Sequence, residues 1–156
     1  KIFPCLLDPE YLLSLIVSLI YSFKIFPVKI LLMKLIPAVK ALVLDGDKAL
    51  ILRKWSGKID LPGGKLKQDE CDIVKELMRE VQEETNIDID IVKRIIDMIT
   101  IAVTDEGEIV ASVYLCKYKG GEIKLSREHT DFMWTPISEI NNDYPRWIQE
   151  AVAKVS

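Results

Sequence analysis

Three glutamates near the middle of the chain have the spacing of a metal site. Glu80, Glu83 and Glu84 stand three and four residues apart, so on an α-helix their side chains share one face and can converge on one ion. Without a cation, like charges stacked in this way repel one another by roughly a few tenths of a kcal/mol per pair. Carboxylate oxygens are hard ligands that favour Mg²⁺, with Mn²⁺ as a substitute, over zinc. The pattern predicts a helix that holds a divalent cation.

A glycine turn precedes this acidic helix in the sequence. In Pro62-Gly63-Gly64-Lys65, the proline fixes the backbone at the start of the turn, and the two glycines permit positive φ angles and a close approach to a ligand. A turn of this kind beside carboxylates suits a phosphate group bound together with a metal ion. The alternatives are an ordinary turn and a solvated acidic face of the helix.

Together, the turn and the helix resemble the signature of the Nudix hydrolases, and of MutT-like members in particular. That signature is a Gly, five residues, a Glu, seven residues, and then Arg-Glu-apolar-x-Glu-Glu-x-Gly-apolar. Gly64 lies five residues before Glu70, and the block 79–87 matches at every named position except Asn86. The resemblance extends over roughly 33–156.

The sequence departs from this signature at two points. Asn86 stands where the family has glycine, and asparagine is the usual second choice at a left-handed helix end. Eight residues, not seven, separate Glu70 from Arg79. With the helix register anchored at Arg79, Cys71 takes the position of the family's first glutamate. Glu70 then lies in the turn before the helix, unless a bulge restores its place.

The resemblance implies a role for each acidic residue of the helix. Glu83 and Glu84 would bind the essential metal. Glu80 would be a further ligand or the base that activates water. The carbonyl of Gly64 or Gly63 would supply another oxygen ligand.

Further candidate residues surround this cluster. Arg79 lies four residues before Glu83 and can pair with it to hold the carboxylate geometry. Glu128, in a late loop, resembles the extra ligand or general base that several family members recruit from such a loop, although it can equally be an exposed residue. For His129 we expect a structural role. The candidate substrate-binding residues are Arg53, Gly63 and Lys65, and Lys54 and Trp55 lie in the same stretch.

The surrounding sequence predicts an α+β domain with a mixed sheet between helices, which is also what the Nudix resemblance implies. Two apolar runs, 38–44 and 48–54, flank the turn signal Asp45-Gly46-Asp47 and predict a hairpin. Apolar residues on both faces of 109–118 predict a sheet that is covered on both sides. Further strands are predicted at 88–101, 122–125 and 132–136, and a C-terminal amphipathic helix at 144–155.

The acidic helix itself is predicted to follow an N-cap at Asp69 and to end near Thr85. Its apolar stripe consists of Ile73, Val74, Leu77, Met78 and Val81. The glutamates flank this stripe about a quarter-turn from its centre. They should therefore lie at the rim of the core, where the glycine turn packs.

Composition excludes several classes of protein. A length of 156 residues predicts one main domain, and a net charge of −3 with a pI near 5.3 argues against a nucleic-acid-binding surface. Three cysteines without C-x-x-C spacing fit a reducing compartment, which predicts a cytoplasmic protein. A single histidine, His129, gives no support to a zinc site or a Ser-His-Asp triad.

Residues 1–32 form an apolar N-terminal extension ahead of the predicted Nudix domain at 33–156. The apolar run 11–23 is short for a membrane span, which needs about 20 residues. It can be a membrane-associated helix, a signal-like segment or an upstream segment that the enzyme does not need.

The resemblance implies a Mg²⁺-dependent pyrophosphohydrolase that acts on a nucleoside diphosphate linked to another group. The expected substrate is a nucleoside triphosphate or a modified one, and the alternatives are ADP-ribose and nucleotide sugars. Two alternatives of other classes are a catalytically weak Nudix-like nucleotide-binding module and a membrane-anchored protein that depends on 1–32. The protein is expected to be a monomer or a homodimer.

Overall fold

The computed structural model of the protein describes residues 34–67 and 72–155. The predicted extension 1–32, the predicted N-cap Asp69 and the displaced Glu70 lie outside the described residues. The described elements, in chain order, are β1 (Leu35–Asp45), β2 (Lys48–Lys54), β3 (Ile59–Asp60), α1 (Ile73–Thr85), β4 (Asp88–Thr104), β5 (Gly107–Gly120), β6 (His129–Pro136), a 3-10 turn (Ile137–Glu139) and α2 (Arg146–Ala153).

The strands form one mixed six-stranded sheet, as predicted. Its order is β3-β2-β1-β5-β4, and β6 pairs with β2. Of the described strand pairs, β1 and β5 are parallel, with Leu35 opposite Glu108 and Leu44 opposite Lys117, and the others are antiparallel. The predicted hairpin at residues 45–48 is confirmed.

Among the described elements, one helix covers each face of the sheet, which confirms the α/β/α sandwich. Successive side chains of a strand point to opposite faces, so Val39 of β1 packs in the same cluster as Leu77 of α1. Its near neighbour Leu42 packs instead with Ile148 of α2. Within residues 34–67 and 72–155, no helix is both long enough and apolar enough to cross a membrane.

Helix α1 ends where the sequence predicts and begins later. Asp72 is its N-cap and accepts a hydrogen bond from the Lys75 N–H (3.2 Å), so Asp69 was the wrong choice. At the other end Asn86 has φ 58° and its N–H donates to the Gln82 carbonyl. This left-handed cap explains why asparagine can replace the glycine of the signature.

The face of α1 that is buried differs from the predicted stripe. Leu77 and Val81 are fully buried, but Val74 and Met78 are 39% and 47% exposed. The glycine turn packs against the helix on the side of Glu84, which is buried. This is the side of the helix on which the sequence predicts the turn to pack.

Residues 122–125 were predicted as a strand and are not one. Their backbone meets the end of α1 instead, where the Lys124 N–H donates to the Thr85 carbonyl and the Ser126 N–H to the Glu84 carbonyl, both at 3.0 Å. The last carbonyls of a helix have no partner within it and need one from outside. The segment therefore caps the helix and directs the chain towards the loop that holds Glu128.

Candidate active site

The site begins where β1 and β2 separate. Their paired residues lie next to the hairpin, Leu44 with Ala49 and Asp45 with Lys48. Nearer the N-terminus of β1, its hydrogen-bond partner is the turn that follows β3 and not β2. The Val39 N–H donates to the Gly64 carbonyl (2.9 Å), and the Ala41 N–H donates to the Pro62 carbonyl (2.8 Å). The glycine turn is thus held like a strand inside the sheet.

A side chain at either glycine of this turn would meet a neighbouring group. Gly63 has φ 128°, and a Cβ there would lie 2.2 Å from the carbonyl oxygen of Val39. A Cβ on Gly64 would lie 2.5 Å from the carboxyl group of Glu80. Glycine is needed at 63 for the backbone conformation and at 64 for the approach of a carboxylate. The structure therefore brings the predicted turn and the predicted acidic helix into contact.

Glu84 connects helix α1 to the glycine turn. Its Oε2 accepts the N–H of Gly63 (2.8 Å), and the residue is buried. Burial raises the pKa of Glu84 to about 7, although the nearby Lys40 ammonium and the Gly63 N–H act in the opposite direction. Burial also raises the pKa of Glu80, despite its contact with Arg79. Both carboxyl groups lie where a positive charge would stabilise them.

Arg79 joins the acidic side chains of the helix. Its Nε donates to Glu76 (2.8 Å), one terminal nitrogen donates to Glu83 (2.6 Å), and the other contacts both Glu76 and Glu80. These contacts raise the pKa of Arg79, chiefly through its hydrogen bonds to Glu76 and Glu83. The predicted pairing of Arg79 with Glu83 is present, and it directs the Glu83 carboxylate, which is 61% exposed, towards the guanidinium.

A cavity of about 400 Å³ lies beside the turn. The predicted site residues that line it are Gly63, Gly64, Lys65, Glu80, Glu84 and Glu128. Arg79 and Glu83 are not among its lining residues. Arg53 lies elsewhere, since it donates to the carbonyl of Gly57 (3.3 Å) and lines a separate shallow depression. The structure thus brings together six of the nine residues proposed for the site.

A buried ion network at this cavity was not predicted from the sequence. Lys40 Nζ donates to Asp60 Oδ2 (2.9 Å), and Lys54 Nζ lies 2.6 Å from the same oxygen. Burial acts to raise the pKa of Asp60, yet the two lysines hold it below its ordinary value. Lys40 is the single charged residue within the predicted strand 38–44. A lysine within an apolar strand is seldom buried without a partner. Lys40 could therefore have indicated a buried ion pair from the sequence alone.

His129 lies behind Glu84. The imidazole is buried, its Nε2 is 4.0 Å from Glu84 Oε1, and among the described residues neither ring nitrogen has a hydrogen-bond partner. Burial lowers the pKa of His129. The ring is therefore neutral at pH 7 and adds no positive charge to the carboxylates.

The donor set fits a hard divalent cation. Glu80 and Glu84 present carboxylate oxygens to one cavity, and burial raises the pKa of both. The carbonyl of Gly64 accepts one hydrogen bond and has a second lone pair. Over 34–67 and 72–155, no three His, Cys, Asp or Glu side chains stand close enough to enclose an ion, and Glu83 is turned to Arg79. A complete ligand set would need Glu83 to leave Arg79.

Comparison with known proteins gives the same family as the sequence pattern. The model of the NUDIX domain family matches residues 34–154. Among solved structures, the MutT protein from Methanosarcina mazei Go1 is 27% identical, with a TM-score of 0.69 over 78% of this chain and 93% of that one. No curated protein matched the sequence significantly.

Two more distant structures share the fold. The MutT Nudix hydrolase from Burkholderia pseudomallei is 20% identical, with a TM-score of 0.68 over 79% of this chain and 99% of that one. A C. elegans Ap4A hydrolase is also 20% identical, with a TM-score of 0.66 over 77% and 94% of the two chains.

Proposed function

The chain belongs to the Nudix hydrolase family, and we propose that it is a Mg²⁺-dependent pyrophosphohydrolase that cleaves the phosphoanhydride of a nucleoside diphosphate linked to another group. The observation that carries this proposal is the placement of Glu80 and Glu84 against Gly63 and Gly64 in one cavity. That cavity offers oxygen ligands and a backbone turn at the same point, as the hydrolysis of a phosphoanhydride requires.

Lysines around the cavity support a substrate that carries several phosphates. Lys54, Lys58 and Lys65 line the cavity together with the carboxylates. Ammonium groups neutralise phosphate oxygens and hold them in position. The lining also includes Ile101, Ala102 and Ile109, which offer an apolar surface to a nucleoside. We propose a nucleoside triphosphate, or a modified one, as the substrate.

The proposed reaction is the attack of water on phosphorus. Mg²⁺ held by Glu80, Glu84 and Glu83 would neutralise phosphate charge and make a bound water more acidic. Glu80 and Glu128 both line the cavity. The carboxylate that binds the metal less fully would accept the proton of the attacking water. The bond to the bridging oxygen breaks, giving a nucleoside monophosphate and a phosphorylated remainder.

A substrate screen with matched variants tests this proposal. Purified protein with Mg²⁺ is incubated with nucleoside triphosphates, 8-oxo-dGTP, ADP-ribose, dinucleoside polyphosphates and nucleotide sugars, and the products are separated by chromatography. We expect a nucleoside monophosphate from at least one triphosphate. The double variant Glu83→Gln, Glu84→Gln should lose at least about 100-fold in kcat/KM, since it removes proposed ligands.

Glu139→Gln is the matched control. Glu139 is exposed and lies in the 3-10 turn, so the same chemical change there should leave kcat/KM unchanged. Equal activity in the parent and the double variant would refute the site assignment. Absence of hydrolysis of every compound by the parent would refute the proposed function and favour a binding module.

A further inference from the structure

The ammonium group of Lys40 is held by one short segment of the glycine turn. Its Nζ donates to Asp60 Oδ2 (2.9 Å), to the Leu61 carbonyl (3.0 Å) and to the Gly63 carbonyl (2.7 Å). The side chain is 4% exposed. An ammonium carries three N–H donors, so all of them are used within the residues 60–63.

The two carbonyls that Lys40 contacts flank one particular peptide group. The Leu61 carbonyl belongs to the peptide before Pro62, and the Gly63 carbonyl belongs to the peptide after Gly63. Between them lies the peptide that joins Pro62 to Gly63, and its N–H donates to Glu84 (2.8 Å). Its carbonyl oxygen accepts the Ala41 N–H (2.8 Å). Lys40 thus fixes the backbone on both sides of the donor that orients Glu84.

The same ion network reaches the cavity through Asp60. Its Oδ2 accepts Lys40 and pairs with Lys54 at 2.6 Å, and its Oδ1 accepts the Leu61 N–H (2.8 Å). Lys54 is 40% exposed and lines the cavity. The Lys54 ammonium is therefore positioned by a carboxylate oxygen that Lys40 also contacts.

Burying the Lys40 ammonium costs desolvation free energy that an apolar side chain at this position would not. Replacing a buried ion pair by apolar residues is often neutral or stabilising, so the network is weak as an explanation of stability alone. Its contacts converge on the turn that carries Gly63 and on Lys54. These groups face the same cavity as Glu84.

We propose that Lys40 is a positioning residue for the hydrolysis, which holds the peptide that orients Glu84 and, through Asp60, the ammonium of Lys54. This inference rests on the proposed function. Lys40 lines the cavity, but its three N–H donors are used by Asp60, Leu61 and Gly63, so it has none left for a substrate. Its role is to keep a backbone donor and a phosphate-binding cation in the arrangement that the reaction needs.

Kinetics of two lysine variants separate these roles. Lys40→Met keeps the length of the side chain and removes its charge, and we expect kcat to fall about 10- to 100-fold, the usual effect of a small misplacement of a catalytic group. Lys54→Met removes a cation that faces substrate, so KM should rise about 10-fold with a smaller change in kcat. Lys40→Arg should not restore kcat, because a planar guanidinium cannot reproduce three contacts of an ammonium.

A second readout does not depend on activity. Hydrogen exchange of the Gly63 amide, followed by NMR, reports the bond to Glu84 directly. It should be at least about 10-fold faster in Lys40→Met than in the parent. The control is Lys119→Met, an exposed lysine paired with Asp90 outside the cavity, which should leave both kcat and the exchange rate unchanged.

The outcomes separate this inference from the proposed function. A folded Lys40→Met protein with the kcat and the Gly63 exchange of the parent would overturn the inference and leave the enzyme assignment intact. A parent without activity would refute the function, and Gly63 exchange would still test the contact. If Lys40→Met does not fold, Asp60→Asn replaces it. Unchanged kcat, KM and Gly63 exchange in that variant would equally overturn the role of the network.

Discussion

Replacing Glu84 by glutamine should stabilise the metal-free protein at alkaline pH. Burial raises the pKa of Glu84 from its ordinary value of 4.5 to about 7. Between these values the folded protein binds more protons than the unfolded chain, so the stability that Glu84 contributes falls as the pH rises through this window. Each pKa unit corresponds to about 1.4 kcal/mol, which gives a penalty of about 3 kcal/mol once the group is ionised.

Glutamine removes this penalty because it does not ionise, and its side-chain oxygen can still accept the Gly63 N–H. We therefore expect the free energy of unfolding of Glu84→Gln, relative to the parent, to rise by about 1–3 kcal/mol between about pH 5 and pH 8.5. Other titrating groups, such as His129, are present in both proteins, so their contributions cancel to first order.

Urea unfolding in EDTA at both pH values measures this difference. Linear extrapolation gives the free energy of unfolding, and an unchanged slope with denaturant indicates that the same surface is exposed. Glu139→Gln, at an exposed position, should show no such dependence on pH. If the stability of the parent and Glu84→Gln differed by the same amount at both pH values, the burial argument for Glu84 would be refuted.

Three further changes test other parts of the site. Gly64→Ala places a methyl group 2.5 Å from the Glu80 carboxyl and should lower kcat/KM at least about 10-fold by displacing that group, whereas wild-type kcat/KM would contradict the contact. Comparison of Glu80→Gln with Glu128→Gln should identify the general base. Replacing the base should lower kcat about 100-fold or more and remove the acidic limb of the pH profile of kcat. Arg79→Met removes the hydrogen-bonded cation beside the buried Glu76. It should lower the free energy of unfolding, measured with urea, by about 2 kcal/mol, the usual range for hydrogen bonds to charged groups. Arg146→Met on the surface of α2 is the control.

Features set by local chemistry were predictable from the sequence. The hairpin at 45–48, the end of α1 near Thr85 and the left-handed Asn86 all follow from the preferences of neighbouring residues. The Nudix family and its sandwich fold were recognised from the spacing of glycines and glutamates, and both are confirmed. Spacing within one helix is fixed by its geometry, so it can be read before the fold is known.

Features that depend on distant contacts were not predictable in this way. Lys40 and Asp60 are 20 residues apart, and their pairing requires the turn to enter the sheet beside β1. Met78, which is 47% exposed, is left uncovered by the way α1 packs against the rest of the chain. Residues 122–125 form hydrogen bonds with a helix end, although their composition favoured a strand. In each case the deciding partner comes from another part of the chain.

The hairpin of β4 and β5 contributes apolar side chains to the lining of the cavity. The acidic and basic side chains of this lining all come from residues 40–84 and from Glu128, whereas the hairpin of β4 and β5 contributes Ile101, Ala102 and Ile109. Ala102 and Ile109 face each other across that hairpin. Under the proposed function, we therefore expect substitutions in this hairpin to change which compounds are accepted, while the residues proposed to react stay in place.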